Sequence, residues 1–241
     1  KIPGARLDYI TTDHAMMWYI RDMTPKQMKL LVQEHLDYIE AMQKWRPGLK
    51  VGSIESLGYF WIVGANGKQY KQSDVGFPRF DFKTFMTKIV KDAKRRGIVI
   101  DHFDLDHGFW GATMDTLGFG KCMNWRSVDK LDYGRFLAAE KVCKELGLNV
   151  GVCFNDTVWD RLYYEKAGSK TVADADRECA LRSVEFIRGY FEAGGRPDRL
   201  VFQSWTTHPS KTGPETMTNS FLGVTKRQLD VVEKITKRKS K

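Results

Sequence analysis

The residues best suited to carry out chemistry lie in one stretch, Ile98 to Gly108, with the sequence IVIDHFDLDHG. If this stretch is a β-strand, alternate side chains point to opposite faces, so that His102, Asp104 and Asp106 share one face and apolar side chains share the other. Carboxylates at the C-terminal end of an inner strand are typical of the active sites of (β/α) barrels. The alternative is a strand end that enters solvent and carries acidic residues for solubility.

Two facing carboxyl groups could hydrolyse a glycosidic bond, because one protonates the leaving oxygen while the other attacks the sugar or activates water. Glu55 lies on the strand predicted before this stretch, and neighbouring strands are about 4.8 Å apart. We therefore expect Glu55 to act as the acid/base and Asp106 as the nucleophile or base, with Asp13 as the alternative partner. Asp104, one layer deeper, would orient the others or contact the substrate.

Substrate-binding candidates follow the same strand ends. Trp205, at the end of the last predicted strand, is expected to stack on an apolar sugar face, although it could instead plug a barrel. The remaining candidates could hydrogen-bond sugar hydroxyls or extend the cleft, and they are Gln203, His107, Asn155, His208 and Trp110. The sequence therefore predicts a carbohydrate as the partner.

The order of predicted elements is strand, loop and helix, five times over. The predicted strands are Arg6–Thr12, Lys50–Leu57, Ile98–Gly108, Asn149–Asn155 and Arg199–Trp205. The predicted helices begin at Thr24-Pro25, at Asp81, near Lys130, near Val172 and near Thr225. The loops after the strands are long and aromatic, including residues 58–80 and 109–128, whereas the turns before the strands are short.

This asymmetry favours a (β/α)8 TIM barrel whose function lies on one rim. Five units are fewer than eight, so we expect a single barrel domain over residues 1–241 that lacks its first βα units and whose strands correspond to the fourth to the eighth. The missing strands would lie in a longer chain or in a partner chain. An open doubly wound sheet is the alternative, but no Gly-rich nucleotide-binding motif supports it.

Charge and composition narrow the classes of partner. The net charge is +9, and residues 234–241, KITKRKSK, form a short basic tail. No nucleic-acid motif is present, so we expect no nucleic-acid partner, whereas an anionic polysaccharide agrees with the charge. No apolar run is long enough to span a membrane. We expect no cofactor or metal, since no Cys/His ligand spacing occurs. The alternative is a divalent metal bound through hard oxygen ligands by Asp104, Asp106 and His107, although their spacing matches no established metal motif.

Several stretches resemble, in order and spacing, the strand ends of secreted bacterial (β/α)8 proteins similar to the clan-A-type retaining glycoside hydrolases. These stretches are DYITTDH, KVGSIES, IDHFDLDHG, LNVGVCFND and PDRLVFQSWTTHPSKTGPET. The resemblance implies a glycosidase that acts on a poly- or oligosaccharide and works outside the cell or in the cell envelope.

The chain also departs from that pattern. Such enzymes commonly carry a catalytic Glu after the fourth strand and another after the seventh, whereas this chain carries Asp13-His14 and Asn155-Asp156 there. Two alternatives to hydrolysis therefore stay open. One is a non-catalytic carbohydrate-binding or structural barrel of an extracellular assembly. The other is a polysaccharide lyase that uses His107 or a Tyr as its base.

Overall fold

The computed structural model describes residues 7–13, 24–71, 80–106, 108–117, 130–154, 183–202, 216 and 221–239. The strands are β1 (Tyr9–Asp13), β2 (Lys50–Ser56), β3 (Phe60–Val63), β4 (Gln69–Tyr70), β5 (Phe80–Asp81), β6 (His102–Asp106), β7 (Asn149–Cys153) and β8 (Arg199–Val201). The α-helices are α1 (Pro25–Trp45), α2 (Phe82–Arg95), α3 (Gly108–Leu117), α4 (Gly134–Glu145), α5 (residues 183–192) and α6 (Phe221–Lys239).

The first two helices begin where local sequence signals predict. At the start of α1, the backbone N–H of Gln27 donates to the hydroxyl of Thr24, and the Gln27 side chain accepts from the Thr24 backbone at 2.9 Å. This reciprocal capping box satisfies two backbone donors that the first turn leaves without helical partners. At the start of α2, Asp81 accepts from the Thr84 backbone at 2.8 Å. Both predicted helix starts are confirmed.

The main sheet is parallel and contains five strands in the order β1-β2-β6-β7-β8. The backbone N–H of Asn149 donates to the carbonyl of Asp101, and that of Phe154 donates to the carbonyl of Val201. The predicted α/β fold and its five parallel main strands are therefore confirmed, whereas β3, β4, β5 and α3 were not predicted. A closed eight-stranded barrel is not shown by the described residues.

Contacts divide the chain into two compact units. The first contains Lys1–Asp106 and Ala138–Gly151, and the second contains His107–Leu137 and Val152–Lys241. In the first unit, β1 pairs with β2 and β2 pairs with β6, both in parallel. Strand β7 contributes its first three residues to the first unit and its last two to the second.

Residues 58–80, predicted to be a loop, instead contain short strands in the part that the structure describes. A 3-10 turn at Leu57–Tyr59 leads into β3, which pairs antiparallel with β4 and parallel with β5. The turn between β3 and β4 contains Asn66-Gly67, and Gly67 has a φ of +78°. An Asn-Gly pair between apolar residues is a strong hairpin signal. The loop prediction missed it because both strands are very short.

The predicted loop 109–128 is also wrong in its first part, because residues Gly108–Leu117 form α3. Close packing fits the small residues here: a Cβ on Gly108 would lie 2.7 Å from the Phe186 ring, and one on Gly111 would lie 3.0 Å from the Phe136 ring. Glycine and aromatic content lowers intrinsic helix propensity, and tertiary packing overrides it here.

In the first unit, α2 covers one face of β6. Its apolar side is buried, and the Phe82 ring lies 5.8 Å from the Phe103 ring and 5.4 Å from the Phe60 ring. Because side chains alternate along a strand, the opposite face of β6 carries His102, Asp104 and Asp106.

The core of the second unit is aromatic. Its buried rings contact one another at centroid distances of 5.5 to 6.3 Å and belong to Tyr133, Phe136, Phe154, Phe186, Tyr190 and Phe191.

None of the helices that the structure describes has the length and apolar character needed to cross a membrane.

Candidate functional site

The strand register decides which acidic residues share a face. Asp13 is paired with Ile54, and Ile54 is paired with Asp104; Ser56 is paired with Asp106. Paired residues of parallel strands point to the same face, since the pleats of neighbouring strands are in phase. Asp13, Asp104 and Asp106 therefore lie on one face, which we call the carboxylate face.

Glu55 lies on the other face of the sheet. It is paired with Leu105, the neighbour of both Asp104 and Asp106 in the chain. The expectation that Glu55 and Asp106 point into the same cleft is therefore wrong. The alternation of side chains within each strand was predicted. Which residues of two neighbouring strands share a face depends on the pairing register, and the sequence of one strand does not reveal it.

Burial separates the acidic residues further. Asp104, Asp106 and Glu55 are each 1% exposed, whereas Asp13 is exposed at the end of β1. A buried carboxyl group is tolerated only with polar partners, and all three side chains have interaction partners. Asp13 is therefore the carboxylate on this face that solvent reaches most easily.

A hydrogen-bonded chain of side chains includes His102 and Thr11, which lie on the same face one row deeper. His102 Nε2 lies 2.8 Å from Thr11 Oγ1, and His102 Nδ1 lies 3.1 Å from Asp101 Oδ2. With a neutral imidazole, Nδ1–H donates to the Asp101 carboxylate, so Nε2 accepts from the Thr11 hydroxyl. Asn149 Nδ2 also donates to Asp101, at 3.4 Å. The chain thus connects β1, β6 and β7.

Alternation with Asp104 and Asp106 predicted that His102 lies on the polar face. The sequence did not indicate a functional role for it. Its side chain is fully buried. An imidazole that is hydrogen-bonded to a carboxylate on one side and to a hydroxyl on the other is held in one tautomer. Such an arrangement can also transfer a proton between these groups. The position of Thr11, two strands away, could not be read from local sequence.

Metal binding was considered for Asp104, Asp106 and His107. Within the described ranges, no three side chains of His, Cys, Asp or Glu form a group that could hold a metal ion. His107 lies outside those ranges.

Most of the predicted substrate-binding residues fall in parts of the chain that the structure does not describe. Those that lie outside the described residues are Trp205, Gln203, His107, Asn155 and His208. Trp110 was expected in a rim loop, but its backbone belongs to α3.

The comparisons with known proteins add no further constraint. No protein-family model, curated protein or solved structure matches this chain.

Proposed function

We propose that this protein is a glycoside hydrolase that acts on a poly- or oligosaccharide outside the cell or in the cell envelope. The observation that carries the proposal is the carboxylate face, where Asp13 ends β1 and Asp106 ends β6. Ligands of parallel α/β sheets bind beyond the carboxyl ends of the strands. Acidic side chains that share one face at those ends can act on one bond.

The roles follow from position and burial. Asp13 is exposed at its strand end, so it is suited to activate a water molecule. Asp104 or Asp106 would protonate the leaving oxygen, which requires that the bound sugar displaces the groups that cover them, because both are nearly inaccessible. The hydrogen-bonded line of Asp101, His102 and Thr11 would hold the deeper row of this face in place.

The test is release of reducing ends from a panel of neutral and anionic polysaccharides. Asp13→Asn, Asp104→Asn and Asp106→Asn are compared with wild type and with Asp230→Asn, a matched change on the partly exposed surface of α6. Loss of a general acid or base is expected to lower the rate about 10²-fold or more. Equal melting temperatures would exclude unfolding as the cause.

Two results would contradict hydrolysis. One is a wild-type chain that releases no reducing ends from any substrate of the panel. The other is full activity in all three carboxylate variants.

A non-catalytic carbohydrate-binding barrel is the second candidate, and the 1% exposure of Asp104, Asp106 and Glu55 favours it. Carboxyl groups that are covered can stabilise a binding surface without reaching a substrate. This candidate predicts saturable oligosaccharide binding without hydrolysis, and the same binding constant in the Asp104→Asn variant.

A further inference from the structure

The solvent-exposed side of α2 carries a row of basic side chains. The row consists of Lys83, Lys88, Lys91, Lys94 and Arg95, all exposed. From position 83 to position 95 the helix rises about 18 Å, and the five side chains spread over an arc of about 140° on its exposed side. We call these five residues the α2 stripe.

Much of the positive charge on this stripe is uncompensated. Asp92 lies between Lys88, at 2.7 Å, and Arg95. In the part of the chain that the structure describes, Lys83, Lys91 and Lys94 form no ion pair. On α6, two lysines are paired, Lys226 with Asp230 and Lys237 with Glu233. The uncompensated positive charge of α2 therefore lies on Lys83, Lys91 and Lys94, on the exposed side of the helix.

The surface around the α2 stripe also contains depressions that could bind a polymer. A shallow open depression of about 540 Å³ is lined by four cations, one carboxylate and two hydroxyls, namely Lys83, Lys88, Lys91, Arg95, Asp92, Thr84 and Thr87. A second depression shares Thr87, Lys91 and Arg95 with the first and is also lined by Lys94, Val90 and Leu146. Threonine hydroxyls between the cations can donate to and accept from sugar hydroxyls.

We propose that the α2 stripe is a secondary binding site for an anionic polysaccharide. The choice of a polysaccharide rests on the proposed function, whereas the site itself rests on the cations of α2. The helix covers the Phe103 face of β6, so the stripe lies on the side of the sheet away from the carboxylate face. The site would retain the polymer near the protein rather than take part in bond cleavage.

Other polyanionic partners fit the stripe less well. A membrane-surface helix inserts an apolar face, but the apolar residues of α2 are buried, including Phe85 and Ile89. Proteins that bind single-stranded nucleic acid place aromatic side chains among the cations, but both aromatic residues of α2, Phe82 and Phe85, are buried.

The experiment measures binding of the whole chain to polygalacturonate, with neutral dextran as the uncharged counterpart. The variant Lys83→Glu/Lys91→Glu/Lys94→Glu is compared with Lys226→Glu/Lys234→Glu/Lys237→Glu on α6, which changes the net charge equally. We expect polygalacturonate alone to bind, and the α2 variant to lose at least about tenfold in affinity. Binding should weaken as salt rises from about 0.05 to about 0.3 M.

Three outcomes would overturn the site: no binding of polygalacturonate, an equal loss in the α6 variant, or equally tight binding of a DNA oligonucleotide that the α2 variant also loses. Hydrolysis is measured separately on the same chain. A chain that binds polygalacturonate through α2 but cleaves no polysaccharide overturns the proposed function alone. A chain that cleaves a polysaccharide, while its α2 variant binds polygalacturonate like wild type, overturns the binding site alone.

Discussion

The imidazole Nε2 of His102 lies 2.8 Å from the hydroxyl Oγ1 of Thr11, although strand β2 runs between them. The register places Gly52 between the two residues in the same row. Because glycine has no side chain, the imidazole can lie over β2 and reach β1. This hydrogen bond joins β1 and β6 across the intervening strand β2.

Replacing Gly52 with alanine should break this arrangement. A Cβ there would clash first with the backbone carbonyl oxygen of His102 and would also lie 2.5 Å from His102 Cδ2, so both the β6 backbone and the ring must move. We expect Gly52→Ala to lower the free energy of unfolding by about 1–3 kcal/mol, measured by urea denaturation. In a His102→Ala background the substitution should lose only the part of its cost that comes from the ring, because the clash with the backbone carbonyl of residue 102 remains. Strictly additive losses would show that the ring contributes nothing to the steric cost.

The stability of the first unit should depend on pH through His35. This side chain of α1 is buried, and burial lowers its pKa from 6.5 to about 4. The unfolded chain therefore binds a proton at higher pH than the folded chain, so the stabilisation is complete above about pH 6.5 and is lost as pH falls toward 4. The loss should reach about 3 kcal/mol.

The measurement is the free energy of unfolding from urea denaturation at several pH values between 4 and 7. His35→Leu should show a flatter dependence than wild type across this window, since leucine does not titrate. If the free energy of unfolding changed with pH equally in the two proteins, groups other than His35 would account for the pH dependence.

The second unit contains an ion pair that is almost fully buried. Arg135 Nη2 lies 2.8 Å from Asp115 Oδ1, and both side chains are 1% exposed. Arg135→Met should cost about 3–5 kcal/mol of unfolding free energy, because it leaves a buried carboxylate without this partner. Adding Asp115→Leu should recover part of the loss. The matched control is Lys226→Met, which breaks a pair that is about half exposed on α6 and should cost less than about 1 kcal/mol.

We therefore expect Arg135 to stabilise the folded protein mainly by neutralising the Asp115 carboxylate. A double variant whose loss equals the sum of the two single losses would contradict this coupling. Thermal melting monitored by circular dichroism provides an independent check.

If the proposed hydrolysis uses Asp13 and Asp104, the product should have the inverted anomeric configuration. These residues occupy the same row but lie two strand spacings apart, so their backbones are separated by about 10 Å. Inverting enzymes hold their carboxyl groups about 6.5–9.5 Å apart, whereas retaining enzymes hold them about 5–5.5 Å apart. Proton NMR of the first product would identify the anomer, and retention would exclude this pair.

Features encoded by neighbouring residues were predicted well. Thr24-Pro25 and Asp81 mark helix starts because a cap hydroxyl or carboxylate bonds to a backbone N–H three residues later. The strand that carries Asp104 was also predicted, although β6 begins four residues later than expected. The hairpin of β3 and β4 was missed despite its Asn66-Gly67 turn, because both strands are very short, and α3 was missed because its glycines lower helix propensity.

The sequence by itself determined the order of the five strands of the main sheet and the alternation that puts His102, Asp104 and Asp106 on one face. Only the tertiary structure decided that Asp13 shares this face, that Glu55 does not, and that Asp104 and Asp106 are buried. The physical reason is that alternation is a property of a single extended backbone, whereas register arises from hydrogen bonds between strands that are distant in the chain. Burial likewise depends on the packing of the whole unit.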